Sequence, residues 1–181
     1  MKTTTLQAYQ DIIKQCRTLF EKKTQDYGTS WRIMRLPSVT DQIYIKARRI
    51  RSIQEKGTQK IADDSKTEFV GIINYCIIAL LQVAWATNEQ TVMQVDEVLA
   101  GYDDVVQQTI QLLGDKNHDY DEAWRYMRVS SMTDIILMKL LRIKQIEDNQ
   151  GQTVVSEGVT AGYQDIINYA VFCLILQQET V

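Results

Sequence analysis

Residues 6–53 align with residues 99–146 at a constant offset of 93, without a gap, and 20 of the 48 positions are identical. The densest stretch reads DYGTSWRIMRLPSVTDQIYIKARRIRSI in the first copy and DYDEAWRYMRVSSMTDIILMKLLRIKQI in the second. After a one-residue insertion near Gly57 and Gly151 the copies rejoin at IINY, residues 72–75 and 166–169. A chain that repeats itself must fold into two like units, and isologous packing of such units buries more surface than either could alone. We expect the division at 1–87 and 88–181, with the halves packed as one body like a fused homodimer.

Within the copies, one proline and eight glycines in 181 residues, with long apolar patterns at a 3.6-residue period, predict an all-α bundle of two pseudo-twofold-related three-helix repeats. The first helix is read over 5–22, with Leu6, Tyr9, Ile12, Ile13, Cys16, Leu19 and Phe20 as its stripe. A loop with a short helical turn follows over 24–37. Ser38-x-x-Asp41 and Ser131-x-x-Asp134 read as capping boxes that start the second helix of each copy, the first of which ends near Gly57. The third helix starts between Ile61 and Ser65, with Ser65 and Glu68 as a candidate cap, and runs to about Ala86. Thr87-x-x-Gln90 is expected to cap the first helix of the second copy, and Gly114 to stop it.

Composition narrows function by exclusion. Net charge is −3 and the mean hydropathy −0.24, so there is no basic stripe for a phosphate backbone, and long nucleic acid is not expected as a partner. The N-terminal residues lack the apolar core of a signal peptide, and IINYCIIALLQVAWA is broken by Asn74 and Gln82, so neither a membrane nor export is expected and a cytoplasmic location is the default. Cys16, Cys76 and Cys173 stand singly and read as buried spectator thiols. His118 is the sole histidine and its counterpart is Gln25. No phosphate-binding glycine loop, nucleophile elbow or HExxH is present.

The polar residues kept in both copies are the candidates for function. They are Lys23/Lys116, Asp26/Asp119, Arg32/Arg125, Arg35/Arg128, Asp41/Asp134, Lys46/Lys139, Arg49/Arg142 and Asn74/Asn168, accompanied by Tyr27/Tyr120, Trp31/Trp124 and Tyr75/Tyr169. Asp41 and Asp134 are assigned to caps. Lys46 and Lys139 fall inside apolar stripes, where a cation needs a carboxylate, a cavity or an anionic ligand. Arginine forks suit phosphate and the aromatic rings suit a stacked base. In the third helices Glu157 and Asp165 form a carboxylate pair in the second copy. In the first, Asp63 and Gly71 stand in their places, which points to the second copy as the working one.

The pattern K-x-x-D-Y-x-x-x-W-R, D-x(4)-K-x-x-R-I, E-x(7)-D-x-x-N-Y resembles the nucleotide modification associated domain family of the first type, formerly a domain of unknown function, over nearly the whole chain in two copies. An aspartate that often follows the glutamate by four residues is here Ala161. A more distant similarity is to the all-α nucleoside triphosphate pyrophosphatases of the MazG and dimeric dUTPase kind, although their four-carboxylate cage is missing. The resemblance implies a nucleoside phosphate as small-molecule partner. Arg125, Arg128, Lys139 and Arg142 would take its phosphates, Tyr120 or Trp124 its base, Asn168 an edge, and Lys116, Asp119 and Tyr169 would complete the set. Lys23, Asp26, Tyr27, Trp31, Arg32, Arg35, Lys46, Arg49 and Asn74 are the first-copy equivalents. For an enzyme it implies Mg²⁺ on Glu157 and Asp165 and phosphohydrolase or pyrophosphatase chemistry. The rival reading is a non-catalytic helical interaction module whose polar network only fixes the bundle. Further homodimerisation is left open.

Overall fold

The computed structural model describes residues 3–57, 65–120, 122–152 and 158–179. Among these it contains six α-helices, two short 3-10 turns and no strand. Helices α1 (Thr3–Tyr27), α2 (Leu36–Lys56) and α3 (Ser65–Ala84) form the first repeat. Helices α4 (Val95–Tyr120), α5 (Val129–Asp148) and α6 (Val159–Glu179) form the second. The 3-10 turns, Ser30–Ile33 and Ala123–Tyr126, join the first and second helices of each repeat.

The most apolar helices, α3 and α6, lie at the centre against one another, α2 and α5 pack on them and on each other, and α1 and α4 flank the assembly. By length and composition α3 and α6 could each cross a membrane, but most of each is buried inside the bundle, which fits the central helices of a soluble protein. Cys16, Cys76 and Cys173 are buried and free. Burial pushes the Cys16 and Cys173 thiols up to about 12 and Cys76 well above its ordinary value, which leaves them unreactive.

The pseudo-twofold relation is visible atom by atom in reciprocal bonds between the repeats. Tyr9 of α1 donates to Asn168 Oδ1 at 2.8 Å, and its equivalent Tyr102 donates to Asn74 Oδ1 at 3.0 Å. Thr40 donates to Glu147 at 2.7 Å, while the equivalent pair places Gln54 Nε2 on Thr133 at 3.0 Å. Lys144 holds Asp41 at 2.5 Å and Arg51 lies 3.6 Å from Asp134. Each bond joins one repeat to the other and recurs with the partners exchanged, as an isologous interface requires.

Helix boundaries differ from the sequence expectation where local signals were over-read. Helix α1 continues to Tyr27 and is ended by Gly28 at φ 65, a left-handed conformation that costs glycine little. Helix α2 ends at Gly57, φ 62, as expected. Helix α4 passes through Gly114 to Tyr120 and begins only at Val95, so 87–90 lie in the connection and do not cap it. Ser38 and Ser131 are inside their helices. Arg35 and Arg128 occupy the N-cap positions without a side-chain cap bond, because Pro37 is well suited to a first helical turn and α2 starts ahead of it. Asp41 and Asp134 are spent instead on the inter-repeat ion pairs. Ser65 begins α3, but its hydroxyl accepts from Gln177 and Glu68 turns to cations of α2.

Two outcomes follow from the interface. Tyr9→Phe removes the donor to Asn168 Oδ1 inside the core, and a loss of about 1–3 kcal/mol is expected in urea unfolding. Tyr102→Phe should cost a similar amount. Burial holds the half-buried Glu147 carboxyl above its ordinary range, its bonds from Thr40 and Tyr163 opposing this. The folded state therefore binds that proton more tightly than the unfolded chain, a contribution that is full at low pH and lost as pH rises through the raised value. Glu147→Gln, which copies Gln54, should raise the melting temperature at neutral pH by less than about 1 kcal/mol equivalent, given partial solvent screening. The gain should vanish on acidification.

Candidate functional site

The 3-10 turn of the first repeat is positioned by Gln82, the polar interruption in the apolar run of α3. Its Nε2 donates to the carbonyls of Trp31, Arg32 and Met34 at 3.2, 3.2 and 2.7 Å, and its Oε1 accepts from Arg32. The turn therefore sits over α3 with Trp31 directed by four bonds to one side chain. Thr29 adds a bond to the Thr91 carbonyl at 2.7 Å and accepts from the Met93 amide at 3.1 Å. In the second repeat the residue equivalent to Gln82 is Leu176, so this device exists once.

Arg32 and Arg125 are both engaged in internal bonds. Arg32 bonds the carbonyls of Trp85, Asn88 and Gln90, and so ties the end of α3 and the connection 85–94 to the turn. Arg125 binds Glu179 at the end of α6, Thr5 at the start of α1, and Glu122. The roles are equivalent under the pseudo-twofold. Each arginine joins the end of its repeat's third helix to the approach to the other repeat's first helix. Asn74 and Asn168 are likewise engaged, Asn74 donating to the Cys16 carbonyl at 3.1 Å and Asn168 accepting from Tyr9 at 2.8 Å. Trp124 is buried and stacked on Phe172, with centroids 4.2 Å apart, and offers no free face to a base on that side.

Part of the retained set converges in the first repeat. Lys23 and Tyr27 at the end of α1, Trp31 in the turn, Lys46 on α2 and Tyr75 on α3 line one cavity of about 300 Å³, with Gly71 and Asn74 in its wall. Among the described residues its lining contains two lysines and no carboxylate. The Trp31 indole N–H is buried without a hydrogen-bond partner, as is that of Trp124. Lys46 Nζ stands 5.7 Å from the Tyr75 ring centroid and 3.6 Å from Glu68 Oε2, while Arg49 holds the other oxygen of Glu68 at 2.5 Å.

Comparison of the third helices reveals an exchange. Position 68 is glutamate in the first repeat and glycine, Gly162, in the second; position 71 is glycine in the first and aspartate, Asp165, in the second. In the second repeat Asp165 takes Lys139 Nζ at 2.7 Å. A Cβ at Gly162 would lie 3.0 Å from Ile143, and one at Gly71 would lie 2.9 Å from two carbons of Lys46. Glu68 therefore supplies the carboxylate that Gly71 lacks, one helical turn away.

Lys139, Arg142 and Asp165 line a separate, wider groove of about 760 Å³ between α5 and α6, with Arg51 and Asp134 at its edge. Arg35, Arg128 and Asp26 are exposed, and Tyr169 meets Phe172 edge-on at 6.3 Å. The side chains of Lys116, Asp119, Tyr120 and His118 and the whole of Glu157 lie outside the described residues. Among the described residues no group of three metal-binding side chains exists. Asp165 is paired with the Lys139 ammonium, and its expected metal partner, Glu157, is outside the described residues.

A family model described as nucleotide modification associated domain 1 matches the chain twice, over residues 23–83 and 116–176. Searches of the curated proteins and of the solved structures give no significant match, so the likeness to all-α pyrophosphatases gains no support. The two matched segments each run from the lysine at the end of the first helix to the third helix. That is the span that builds the cavity in the first repeat.

Gln82→Leu, which copies Leu176, should release the turn that carries Trp31. We expect a loss of about 1–3 kcal/mol in chemical unfolding and an altered tryptophan emission spectrum. An unchanged spectrum and midpoint would show that the turn is held by other contacts.

Proposed function

The chain belongs to the nucleotide modification associated domain 1 family, and on that premise we propose that the first repeat binds a nucleoside phosphate in the cavity between α1, α2, α3 and the turn. The observation that carries the reading is the lining itself. Two ammonium groups and four aromatic residues, Phe20, Tyr27, Trp31 and Tyr75, line one space, with no carboxylate among the described lining residues. Such a lining attracts an anion that also carries a flat ring: the lysines take the phosphate and an aromatic face takes the base. A volume of about 300 Å³ stands at the low end of ligand pockets, roughly 300–1,000 Å³, which suits a mononucleotide better than a dinucleotide. With the Asn74 amide committed elsewhere, the base is held chiefly by stacking. The ammonium of Lys46, shared loosely with Glu68, is the principal phosphate contact.

The reading is one of binding. Water activation usually relies on a carboxylate or histidine, and the described lining contains neither. Hydrolysis with magnesium on Glu157 and Asp165 is therefore not carried into the proposal. Buried thiols and the soluble bundle accord with a cytoplasmic protein. The alternative, a structural or interaction module, is favoured by a specific observation: Arg32, Arg125, Asn74, Asn168, Asp41 and Asp134 are all consumed in internal bonds.

Thermal shift against nucleoside monophosphates separates the two. A monophosphate at a hundred times its dissociation constant should stabilise the fold by about 2.7 kcal/mol. The parent nucleoside should bind at least roughly tenfold more weakly, as loss of a charge-assisted contact implies. Lys46→Met should remove most of that difference. A flat response across the panel at millimolar ligand would favour the structural module.

A further inference from the structure

The two repeats share Trp31/Trp124, Lys46/Lys139 and Tyr75/Tyr169, and among the described side chains the lysine and tryptophan pairs have different surroundings. We propose that the chain has a single nucleotide-binding site, in the first repeat, and that Gly71 is the residue that decides this by leaving the Lys46 ammonium available to an anion. The inference rests on the reading of the cavity given above and adds to it the stoichiometry and the selecting position.

The argument is one of geometry and charge. Lys46 lies along the bare backbone of Gly71, where a Cβ would sit 2.9 Å from its Cδ and Cε and 3.1 Å from its Nζ. Its ammonium thereby enters the cavity lined by Trp31 and Tyr75, with Glu68 at 3.6 Å and already held by Arg49. At the equivalent point of the second repeat Asp165 closes on Lys139 at 2.7 Å. A phosphate arriving there would have to displace a carboxylate already in contact with the ammonium, and would meet the repulsion of that carboxylate. A second difference reinforces the first. Ile78, which lines the first cavity, is replaced by Phe172, whose ring lies parallel to Trp124 at 4.2 Å and fills the space beside the indole. The second repeat thus pairs its lysine with a carboxylate and covers one face of its tryptophan with a ring.

The test is a calorimetric titration of the full chain with adenosine and thymidine 5′-monophosphates. Saturation at one nucleotide per chain is expected; two equivalent sites would overturn the inference while leaving the reading of the cavity intact. Gly71→Asp should weaken binding by about tenfold to a hundredfold, the effect of neutralising one charge-assisted contact, with its helical circular dichroism unchanged. Wild-type affinity in the folded variant would overturn the role of Gly71. Where Gly71→Asp does not fold, the lysines decide: Lys46→Met should lose the affinity and Lys139→Met should keep it, and the opposite pattern assigns the site to the second repeat. No binding by the wild-type chain removes the reading of the cavity itself and this inference with it.

Discussion

The architecture depends on two asparagine side chains in the middle of apolar helices. Asn74 and Asn168 sit on α3 and α6, and an amide there is tolerated only if its polar atoms are met. The partners come from the other repeat: Tyr102 for Asn74 and Tyr9 for Asn168. Burial pushes both phenols well above their ordinary values, so they remain protonated donors. Correct seating of α1 on α6 and of α4 on α3 is thus a condition for closing the core. The flanking pairs, Thr40 with Glu147 and Gln54 with Thr133, carry the same exchange outward to α2 and α5. Each repeat relies on the other for the hydroxyl that meets its central amide oxygen.

Much of this was legible in the sequence because it is written in periodicity. The six helices and the apolar stripes of α1, α2 and α4 follow from the 3.6-residue pattern, and Gly57 ends α2 where glycine's tolerance of positive φ predicts it. The capping boxes were not real, since Ser-x-x-Asp describes a helix start only when the aspartate has nothing better to do. Here Asp41 and Asp134 meet cations from the opposite repeat, a partner that lies 103 residues along the chain for Asp41. The internal bonds of Arg32 and Arg125 were hidden from the sequence for a related reason. The partners of Arg32 are mostly backbone carbonyls, which leave no trace in residue identity.

The site was half legible. Placing Lys46 in an apolar stripe correctly called for a carboxylate or a cavity, and it has both. The comparison of copies marked position 71 as a point where the repeats part company, with Gly71 in one and Asp165 in the other. Its counterpart, Glu68, restores the charge from the preceding turn, and only coordinates reveal that the two positions face the same lysine. Gln82 was visible as a break in an apolar run, yet its target, the carbonyl groups of Trp31, Arg32 and Met34, could not be named without the fold.

Covalent fusion of the two repeats has an evolutionary corollary. In a homodimer built from identical chains, any substitution in a pocket appears twice, and a residue that suits one face of the interface is imposed on the other. Joining the copies through 85–94 lifts that constraint while keeping the interface that required both. Gly71 opposite Asp165, Phe69 opposite Tyr163 and Gln54 opposite Glu147 are changes of this kind. Each is compatible with the shared scaffold, and each makes one half do something that its twin does not. Duplication here supplies a spare surface on which chemistry can drift without loosening the centre.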